Sequence, residues 1–341
     1  MYKRQDLRLG KLANNRVPTD TVAKILALFD TQYWDYTAKH FHEKLTGEHN
    51  YELSYNWVRL MLQENGRIEV APRRGKHRRK RERRPMTGMM LHQDGSNHEW
   101  VDGERWDLIV TMDDANNQIY SAFFVDEEGT ASTFQGLIEV IEGHGLFCSL
   151  YTDRGSHYWH TPTAGGKVDK DNLTQVGRAM EQLNIEMIAA YSPQARGRSE
   201  RMFGTLQGRL PQELRSQGIT TMPAANRFLK EVYIPRHNQQ FIKPAADSSS
   251  AFVPFAGNIR DILCVHEDRV VTNDNTVRYK GLTLQIPAQD HRHHFVKAKV
   301  RVHEYPDGTL ALFHGPRCIG RYDANGQPII EARYEPHKNA A

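Results

Sequence analysis

Three short apolar stretches decide how the middle of this chain folds: MTGMMLHQ (residues 86–93), WDLIVTM (106–112) and QIYSAFFV (118–125). The last two are rich in β-branched and aromatic residues, which favour strands, and DANN at residues 114–117 is typical of a turn between them. The pattern therefore predicts three consecutive strands in an antiparallel meander.

The segment that follows alternates between helical and strand patterns. Apolar residues recur at helical spacing over residues 130–143, 172–183 and about 194–217, and Pro211 is expected to break the last helix. Strands are predicted at residues 146–152 and 185–190. The order βββαβαβα predicts an α/β domain in which helices flank a mixed sheet.

Toward the N terminus, three short helices are predicted within residues 18–66, connected as in a helix-turn-helix unit. Ser54 is a candidate N-cap for the third helix, which would present Asn56 and Arg59 to a DNA major groove. A small helical bundle without DNA contact is the alternative. The apolar residues at helical spacing are Val22, Ile25, Leu26, Phe29, Ala38, Phe41, Leu45, Trp57, Leu60 and Met61.

Basic residues are concentrated in RRGKHRRKRERR at residues 73–84, which holds nine Lys or Arg and one Glu, whereas the net charge of all 341 residues is +4. Such a block cannot be buried and indicates an exposed connector that binds polyanions, although a solvated linker without a partner is the alternative. We expect neither a membrane span nor a secretory signal, because no apolar run is long enough. Three widely separated cysteines indicate neither a disulfide framework nor a paired-cysteine metal site.

Residues 245–262 are small, contain Ser and Pro, and are typical of a linker. Beyond them, short strands separated by turn signals predict a small antiparallel β-barrel. We therefore expect a multi-domain chain, divided into a basic N-terminal segment (1–17), an all-α helix-turn-helix-like unit (18–66), a basic linker (67–85), an α/β core (86–244), a linker (245–262) and a β-barrel domain (263–341).

Three acidic residues lie where an open α/β sheet forms sites. Asp94 and Asp153 are expected to end the first and fourth strands, and Glu200 lies in the first turns of the long helix. Two aspartates and one glutamate supply the oxygen ligands that two Mg²⁺ ions need for cleavage or transfer at a phosphodiester. Each carboxylate taken alone could instead be a turn residue or a solvated side chain.

The long helix is expected to bury one side and leave another open. The stripe predicted to pack on the sheet is Met202, Leu206, Leu210 and Leu214. Glu200 shares a different face with Arg196, Gly204 and Gln207. Basic and polar side chains around these features are the predicted DNA contacts, although each arginine could equally form a surface ion pair. They are Arg59, Arg73, Arg74, Lys76, Arg78, Arg79, Lys80, Arg154, Arg196, Arg198, Arg201 and Gln207.

The remaining charged and histidine residues receive other interpretations. Asp113 and Asp114 are expected to serve only the turn that follows them. His92, His98 and His157 flank the predicted metal site and are candidates for contacts to phosphate or to an attacking water. A zinc site at His40 and His42 is not expected, and His291, His293 and His294 are expected in an exposed loop.

Asp94 (LHQDGS), Asp153 (TDRGSHY) and Glu200 (SPQARGRSERMFGTLQ) resemble the DDE triad of the retroviral-integrase superfamily. Within it, the chain is most similar to bacterial insertion-sequence transposases of the ISNCY type, and the resemblance extends to YIPRHNQQF (233–241) and RVVTNDNTVRYKGLTLQIP (269–287). It implies an RNase H-like core in which the triad holds two Mg²⁺ or Mn²⁺ ions, and the activity of a metal-dependent polynucleotidyl transferase.

The same resemblance implies the partners and the reaction. Members bind the terminal inverted repeats of their element, cleave its 3′ ends with water and transfer them into target DNA, as multimers on paired DNA ends. We accordingly expect double-stranded DNA as partner, a homo-oligomer, and a location on the nucleoid in the bacterial cytoplasm. Two alternatives are a truncated or domesticated copy that binds DNA as a non-catalytic regulator, and an RNase H-like nuclease without strand transfer.

Overall fold

The structure, a computed structural model, describes residues 16–70, 81–163, 166–191, 197–289 and 292–329. The chain divides into two compact units. Residues up to Arg79 together with Gly204–Thr220 form the helical unit, and Lys80–Phe203 together with Thr221 onward form the sheet unit.

The three N-terminal helices and the βββαβαβα segment occur in the predicted order, whereas two helices between residues 222 and 241 were not predicted. The helices are α1 (Thr19–Gln32), α2 (Ala38–Gly47), α3 (Tyr55–Glu64), α4 (Thr130–His144), α5 (Gln175–Gln182), α6 (Ser199–Gln207), α7 (Leu210–Ser216), α8 (Met222–Phe228) and α9 (Ile234–Phe241). The strands are β1 (Leu91–Val101), β2 (Glu104–Asp113), β3 (Ile119–Val125), β4 (Ser149–Thr152), β5 (Glu186–Ala189), β6 (Val265–Val270), β7 (Thr276–Tyr279), β8 (Leu282–Gln285), β9 (Lys299–Glu304), β10 (Leu310–His314) and β11 (Arg317–Tyr322). None of the helices in the described ranges is both long and apolar enough to cross a membrane.

The helical unit contains the three predicted N-terminal helices and α7. Its core includes Phe29 and Phe41, whose ring centroids are 5.0 Å apart in an edge-to-face arrangement. Ser54 accepts a hydrogen bond at the N terminus of α3, as predicted. Leu60 was expected in the buried stripe of α3 but is 47% exposed, because that stripe is centred on Val58.

The predicted long helix consists of two helices, α6 and α7. Pro211 lies in the first turn of α7, where its missing N–H removes no helical hydrogen bond. The predicted apolar stripe is buried. However, the chain from Gly204 to Thr220 belongs to the helical unit. The expectation that the whole stripe packs on the sheet is therefore wrong. Its members are Met202, Leu206, Leu210 and Leu214.

The sheet unit is built on a five-stranded mixed sheet in the order β3-β2-β1-β4-β5. The first three strands pair antiparallel, and β4 pairs parallel with both β1 and β5. The predicted α/β architecture is thus confirmed. One prediction is wrong: Asp94 lies inside β1 rather than at its end, because pairing with β2 continues through polar residues to Val101, opposite Glu104.

Residues of β1 alternate between the two faces of this sheet. Leu91 packs with Leu150 and the apolar side of α4 in the main core. Gln93 points the same way, and its Nε2 donates to Thr111 Oγ1 at 3.0 Å and to the Thr133 carbonyl of α4 at 3.2 Å. The odd-numbered residues at the start of β1 therefore face α4, and the even-numbered ones face away from it.

The C-terminal strands form a four-stranded antiparallel sheet, β11-β10-β9-β6, and a separate hairpin, β7-β8. Both contribute to one core, in which Val277 and Leu284 of the hairpin pack with Val302 and Leu312. The described strands do not close, so the predicted barrel is not confirmed. Part of the predicted linker, residues 245–262, packs on the main core.

Two glycines of α4 give opposite expectations for substitution by alanine. A Cβ on Gly136 would stand 2.7 Å from Gln93 Nε2, whereas no described atom lies within 4 Å of a Cβ on Gly143. We expect Gly136→Ala to lower the free energy of unfolding by about 1–3 kcal/mol through overpacking. Gly143→Ala should raise it by about 0.5–1 kcal/mol through helix propensity. Urea denaturation of both variants measures this, and equal effects of the two substitutions would contradict the packing described.

The helical unit contains a buried carboxylate that predicts a pH dependence. Glu213 accepts hydrogen bonds from His40 Nε2 at 2.8 Å and Lys44 Nζ at 3.2 Å. Burial alone would raise the pKa of Glu213, but these two partners lower it to about 2 from 4.5. A lowered folded-state pKa stabilises the fold above the unfolded value and loses that effect as the pH falls.

We therefore expect Glu213→Gln to destabilise the protein by about 3 kcal/mol at pH 7, since it leaves Lys44 without its buried counter-ion. The difference from wild type should shrink as the pH falls from 4.5 toward 2. Urea denaturation followed by circular dichroism measures both. Glu64→Gln, at an exposed position of α3, is the control and should change stability by less than about 0.5 kcal/mol. A difference that is independent of pH would exclude this role for Glu213.

Candidate active site on the central sheet

Asp94 lies in β1, the central strand of the sheet, and Asp153 directly follows the neighbouring strand β4. The parallel pairing of β1 with β4 aligns Leu91 with Leu150 and His92 with Tyr151. Continuing this register by two residues places Asp94 beside Asp153, one residue beyond the end of β4. Neighbouring strands are about 4.8 Å apart, and aligned residues of a parallel pair point to the same face. The two aspartates predicted from sequence are therefore neighbours on one face.

That face is the one turned away from α4. His92 and Tyr151 share it, and their ring centroids are 4.9 Å apart. Tyr158 lies on the other side of β1, where its hydroxyl donates to Gln93 Oε1 at 3.1 Å. Its pKa is raised well above the ordinary value, first by burial and then by negative charges that include both Asp94 and Asp153.

The turn after β4 fixes the carboxylate of Asp153. Asp153 Oδ1 accepts a hydrogen bond from the Gly155 backbone N–H at 2.8 Å. A Cβ on Gly155 would stand 2.9 Å from His157 Cε1 and 3.1 Å from Asp153 Oδ1. The small residue in TDRGSHY therefore allows this turn to pass close to the predicted metal ligand.

Asp114 lies at the centre of a buried charge network that sequence reasoning missed. Its side chain has no exposed surface, and its Oδ1 is bonded to His92 Nε2 at 2.7 Å and to the guanidinium groups of Arg81 and Arg198. Its Oδ2 accepts from the backbone N–H of Arg84 at 2.8 Å. Asp114 thus does more than serve a turn. The sequence did contain a signal for this network. An aspartate at the end of the apolar stretch WDLIVTMDD is buried together with that stretch, and a buried carboxylate requires cationic partners.

This network brings the start of α6 to the sheet. Arg198 comes one residue before α6, and its pairing with Asp114 places that helix end near His92, two residues along β1 from Asp94. Glu200 lies in the first turn of α6 and is exposed. The face of α6 beyond it is open, since no described atom lies within 4 Å of a Cβ on Gly204.

The predicted DNA-contacting arginines in the described ranges have protein partners. Arg198 is held by Asp114, and its pKa is lowered to about 10 by burial and by neighbouring arginines. Arg154 donates to the Gly166 carbonyl at 2.7 Å, and Arg201 to the Gly197 carbonyl at 2.7 Å. Arg59 Nη1 donates to Gln63 Oε1 at 3.2 Å, and Gln207 is half-buried. Outside the described residues lie Arg73, Arg74, Lys76, Arg78, Arg79, Lys80 and Arg196.

The three histidines expected near the site have different roles. His92 is buried and held by Asp114, and burial lowers its pKa to about 3, so it is neutral at pH 7. His98 packs edge-to-face on Trp100, with ring centroids 5.0 Å apart. His157 Nε2 lies 3.5 Å from Glu128 Oε1. The carboxylate of Glu128 itself lies beside the backbone of Gly95. Glu128 is a further acidic residue near Asp94 that sequence reasoning missed.

His40 Nε2 bonds to Glu213 Oε1, and His42 Nε2 bonds to the Leu53 carbonyl. His293 and His294 are exposed, as expected, and His291 lies outside the described residues.

The donor set at the site suits hard divalent ions. Asp94 is 7% exposed, Asp153 is half-buried and Glu200 is exposed, so the three carboxylates run from the sheet toward the surface. They are not all within 4.8 Å of one another. A two-ion site does not require that, because ions about 3.5–4 Å apart with ligands at about 2.0–2.1 Å separate the outer ligands by up to about 8 Å.

The strand order, three antiparallel strands followed by two parallel ones, agrees with the RNase H-like architecture that the sequence resemblance implies. No family model matches the chain. It is 30% identical over 309 residues to the transposase-family protein y4bF of Sinorhizobium fredii. That alignment covers 89% of this chain and 66% of the relative. It is 31% identical over 233 residues to the transposase for insertion sequence IS1202 of Streptococcus pneumoniae. That alignment covers 68% of this chain and 50% of the relative.

The chain is thus similar to two proteins named as transposases over most of its own length. It spans 66% and 50% of their lengths.

Two solved structures are similar at low scores. A chain of the simian T-cell lymphotropic virus intasome in complex with PP2A regulatory subunit B56γ has a TM-score of 0.38 and 14% identity, over 85% of this chain and 91% of that chain. The trimeric form of the HTLV-2 integrase catalytic core domain in complex with magnesium has a TM-score of 0.33 and 14% identity, over 42% of this chain and 82% of that chain. TM-scores this low do not support a fold assignment, so the description of the fold rests on the strand order of the sheet.

Replacement of Asp114 should loosen the start of α6. Asp114→Asn keeps the size of the side chain but leaves the guanidinium groups of Arg81 and Arg198 without their buried counter-charge, which we expect to cost about 3 kcal/mol of stability. Hydrogen exchange over residues 197–207 should become faster. Asp126→Asn, at an exposed position, is the matched control. Unchanged exchange over residues 197–207 in Asp114→Asn would contradict the anchoring role.

Proposed function

We propose that this chain is the DNA transposase of an insertion sequence, acting as a metal-dependent polynucleotidyl transferase. The observation that supports the proposal is the β1–β4 register, which pairs His92 with Tyr151 and, continued by two residues, would bring Asp94 level with Asp153 on one face of the sheet. The anchored start of α6 supports Glu200 as the third ligand. The identity with two named transposases supports the substrate class.

The carboxylates of Asp94, Asp153 and Glu200 would hold two Mg²⁺ or Mn²⁺ ions. When bound, such ions activate the attacking water or 3′-hydroxyl and stabilise charge on the leaving oxygen. Asp94, inside the central strand β1, is the rigid member of the three and would hold the ions from the sheet. Asp153 is fixed by its turn, and Glu200 completes the site from an exposed helix start.

DNA contact would come from several parts of the chain. The basic block at residues 73–84 would neutralise phosphates, and Asn56 and Arg59 of α3 would read the terminal inverted repeats. Exposed Arg201 and the open face around Gly204 leave room for a DNA backbone beside Glu200. We further propose that the protein acts as a homo-oligomer on paired DNA ends at the bacterial nucleoid, with the C-terminal strands as an additional binding module.

The test uses a labelled duplex carrying the inverted repeats that flank the gene, a supercoiled target plasmid and Mg²⁺. We expect 3′-end cleavage and joined products. Asp153→Asn should reduce both by more than about 100-fold, the upper end of the loss typical for a residue that only supports a metal ligand, while DNA retention stays at the wild-type level.

Asp102→Asn, at an exposed position in the β1–β2 hairpin, is the control and should react like wild type. Retention of DNA without cleavage by the wild-type chain would indicate a non-catalytic regulator. Cleaved ends without joining would indicate a nuclease. Full activity of Asp153→Asn would refute the metal assignment.

A further inference from the structure

A cysteine and two histidines meet on the edge of the four-stranded C-terminal sheet. His266 of β6 is paired directly with His303 of β9, so both side chains lie on one face. Cys264 precedes His266 by two residues and shares that face. One ligand atom from each of the three residues lies within 4.8 Å of the others. The imidazole rings are stacked, with centroids 4.0 Å apart.

The hydrogen bonds leave both rings with a free nitrogen. His266 Nε2 bonds to the Asp261 carbonyl at 2.9 Å, and because a carbonyl can only accept, this nitrogen carries the proton and Nδ1 carries the lone pair. Metal-binding histidines are commonly held by such a bond to a backbone carbonyl. The Nδ1 atoms of His266 and His303 are both buried and have no partner among the described residues, and His303 is only 6% exposed.

Positively charged side chains lie near this group. The nearby guanidinium of Arg178 is engaged by the carbonyls of Ile262 and Cys264, at 3.0 and 2.6 Å.

One side of the group is open to a ligand. A cleft of about 510 Å³ is lined by His266 and His303 together with Phe313 and Gln182. It provides an entry path for an ion and space for a water molecule as a fourth ligand.

We propose that Cys264, His266 and His303 form a zinc site with one coordination position facing the cleft. One thiolate and two imidazoles are a ligand set typical of Zn²⁺. Binding releases the thiol proton of Cys264 to solvent, because the thiolate is the ligand. The ion would join β6 to β9, and Gln175 of α5 already holds β6 through both polar groups of the His266 backbone. The site lies outside the carboxylate triad and does not depend on the proposed transposase activity.

The experiment titrates the chelator-treated full chain with Co²⁺, a spectroscopic substitute for Zn²⁺. We expect a sulfur-to-cobalt charge-transfer absorption that saturates at one Co²⁺ per chain and disappears when Zn²⁺ is added. Carboxylates give no such absorption, so ions held by the triad do not interfere. Cys264→Ser should abolish the absorption, and His303→Gln should weaken Co²⁺ binding by at least about 10-fold.

The three cysteines of the chain provide the controls. The double variant Cys148→Ser/Cys318→Ser leaves Cys264 as the sole thiol and should keep the full absorption, which tests the site even where Cys264→Ser fails to fold. Absence of the absorption in the wild-type chain, its loss in the double variant, or its persistence in Cys264→Ser would each overturn the proposal.

Discussion

The carboxylate of Asp114 is the contact on which the geometry of this sheet unit depends. A fully buried charge would be strongly destabilising alone, yet here it is paired with two guanidinium groups, one imidazole and one backbone N–H. Those partners come from the segment before β1, from β1 itself and from the residue before α6. Distant parts of the chain are therefore held to the end of β2 by one side chain.

The alternation of β1 explains why the acidic residues lie where they do. One face of the sheet is filled by α4, with Leu91 and Gln93 directed into that core. The opposite face carries the buried residues Leu108, Val110 and Met112 of β2, and Met90, Tyr151 and Ala190 form a small cluster beside them. Asp94 lies on this face opposite Val110, and the β1–β4 register, continued by two residues, brings Asp153 level with it. Sites in open α/β sheets commonly form where strand ends meet the start of a helix.

Much of this fold could be predicted because the decisive segments are strongly periodic. Residues 130–143 were predicted as a helix, and α4 is Thr130–His144. The predictions failed where tertiary pairing overrides local pattern. β1 continues through polar residues because β2 hydrogen-bonds to them, and no apolar repeat marks that extension. Barrel closure depends on contacts between distant strands, which alternation within each strand does not specify.

The candidate site likewise contains residues that could be predicted from sequence and residues that could not. Asp94, Asp153 and Glu200 could be proposed from residue type and position along the chain. The network around Asp114 could not, because it joins residues 81, 92, 114 and 198, whose proximity follows only from the assembled sheet. The pairing of His266 with His303 likewise depends on the β6–β9 register, which brings together residues 37 positions apart in sequence.

The central claim is that carboxylates from β1, from the end of β4 and from α6 hold two ions together. Anomalous scattering from Mn²⁺ in crystals of the full chain measures this directly. We expect two peaks about 3.5–4 Å apart, with Asp94 contacting both, Asp153 contacting one and Glu200 contacting the other. Mn²⁺ bound elsewhere in the molecule, with no peak between Asp94 and Asp153, would contradict the account.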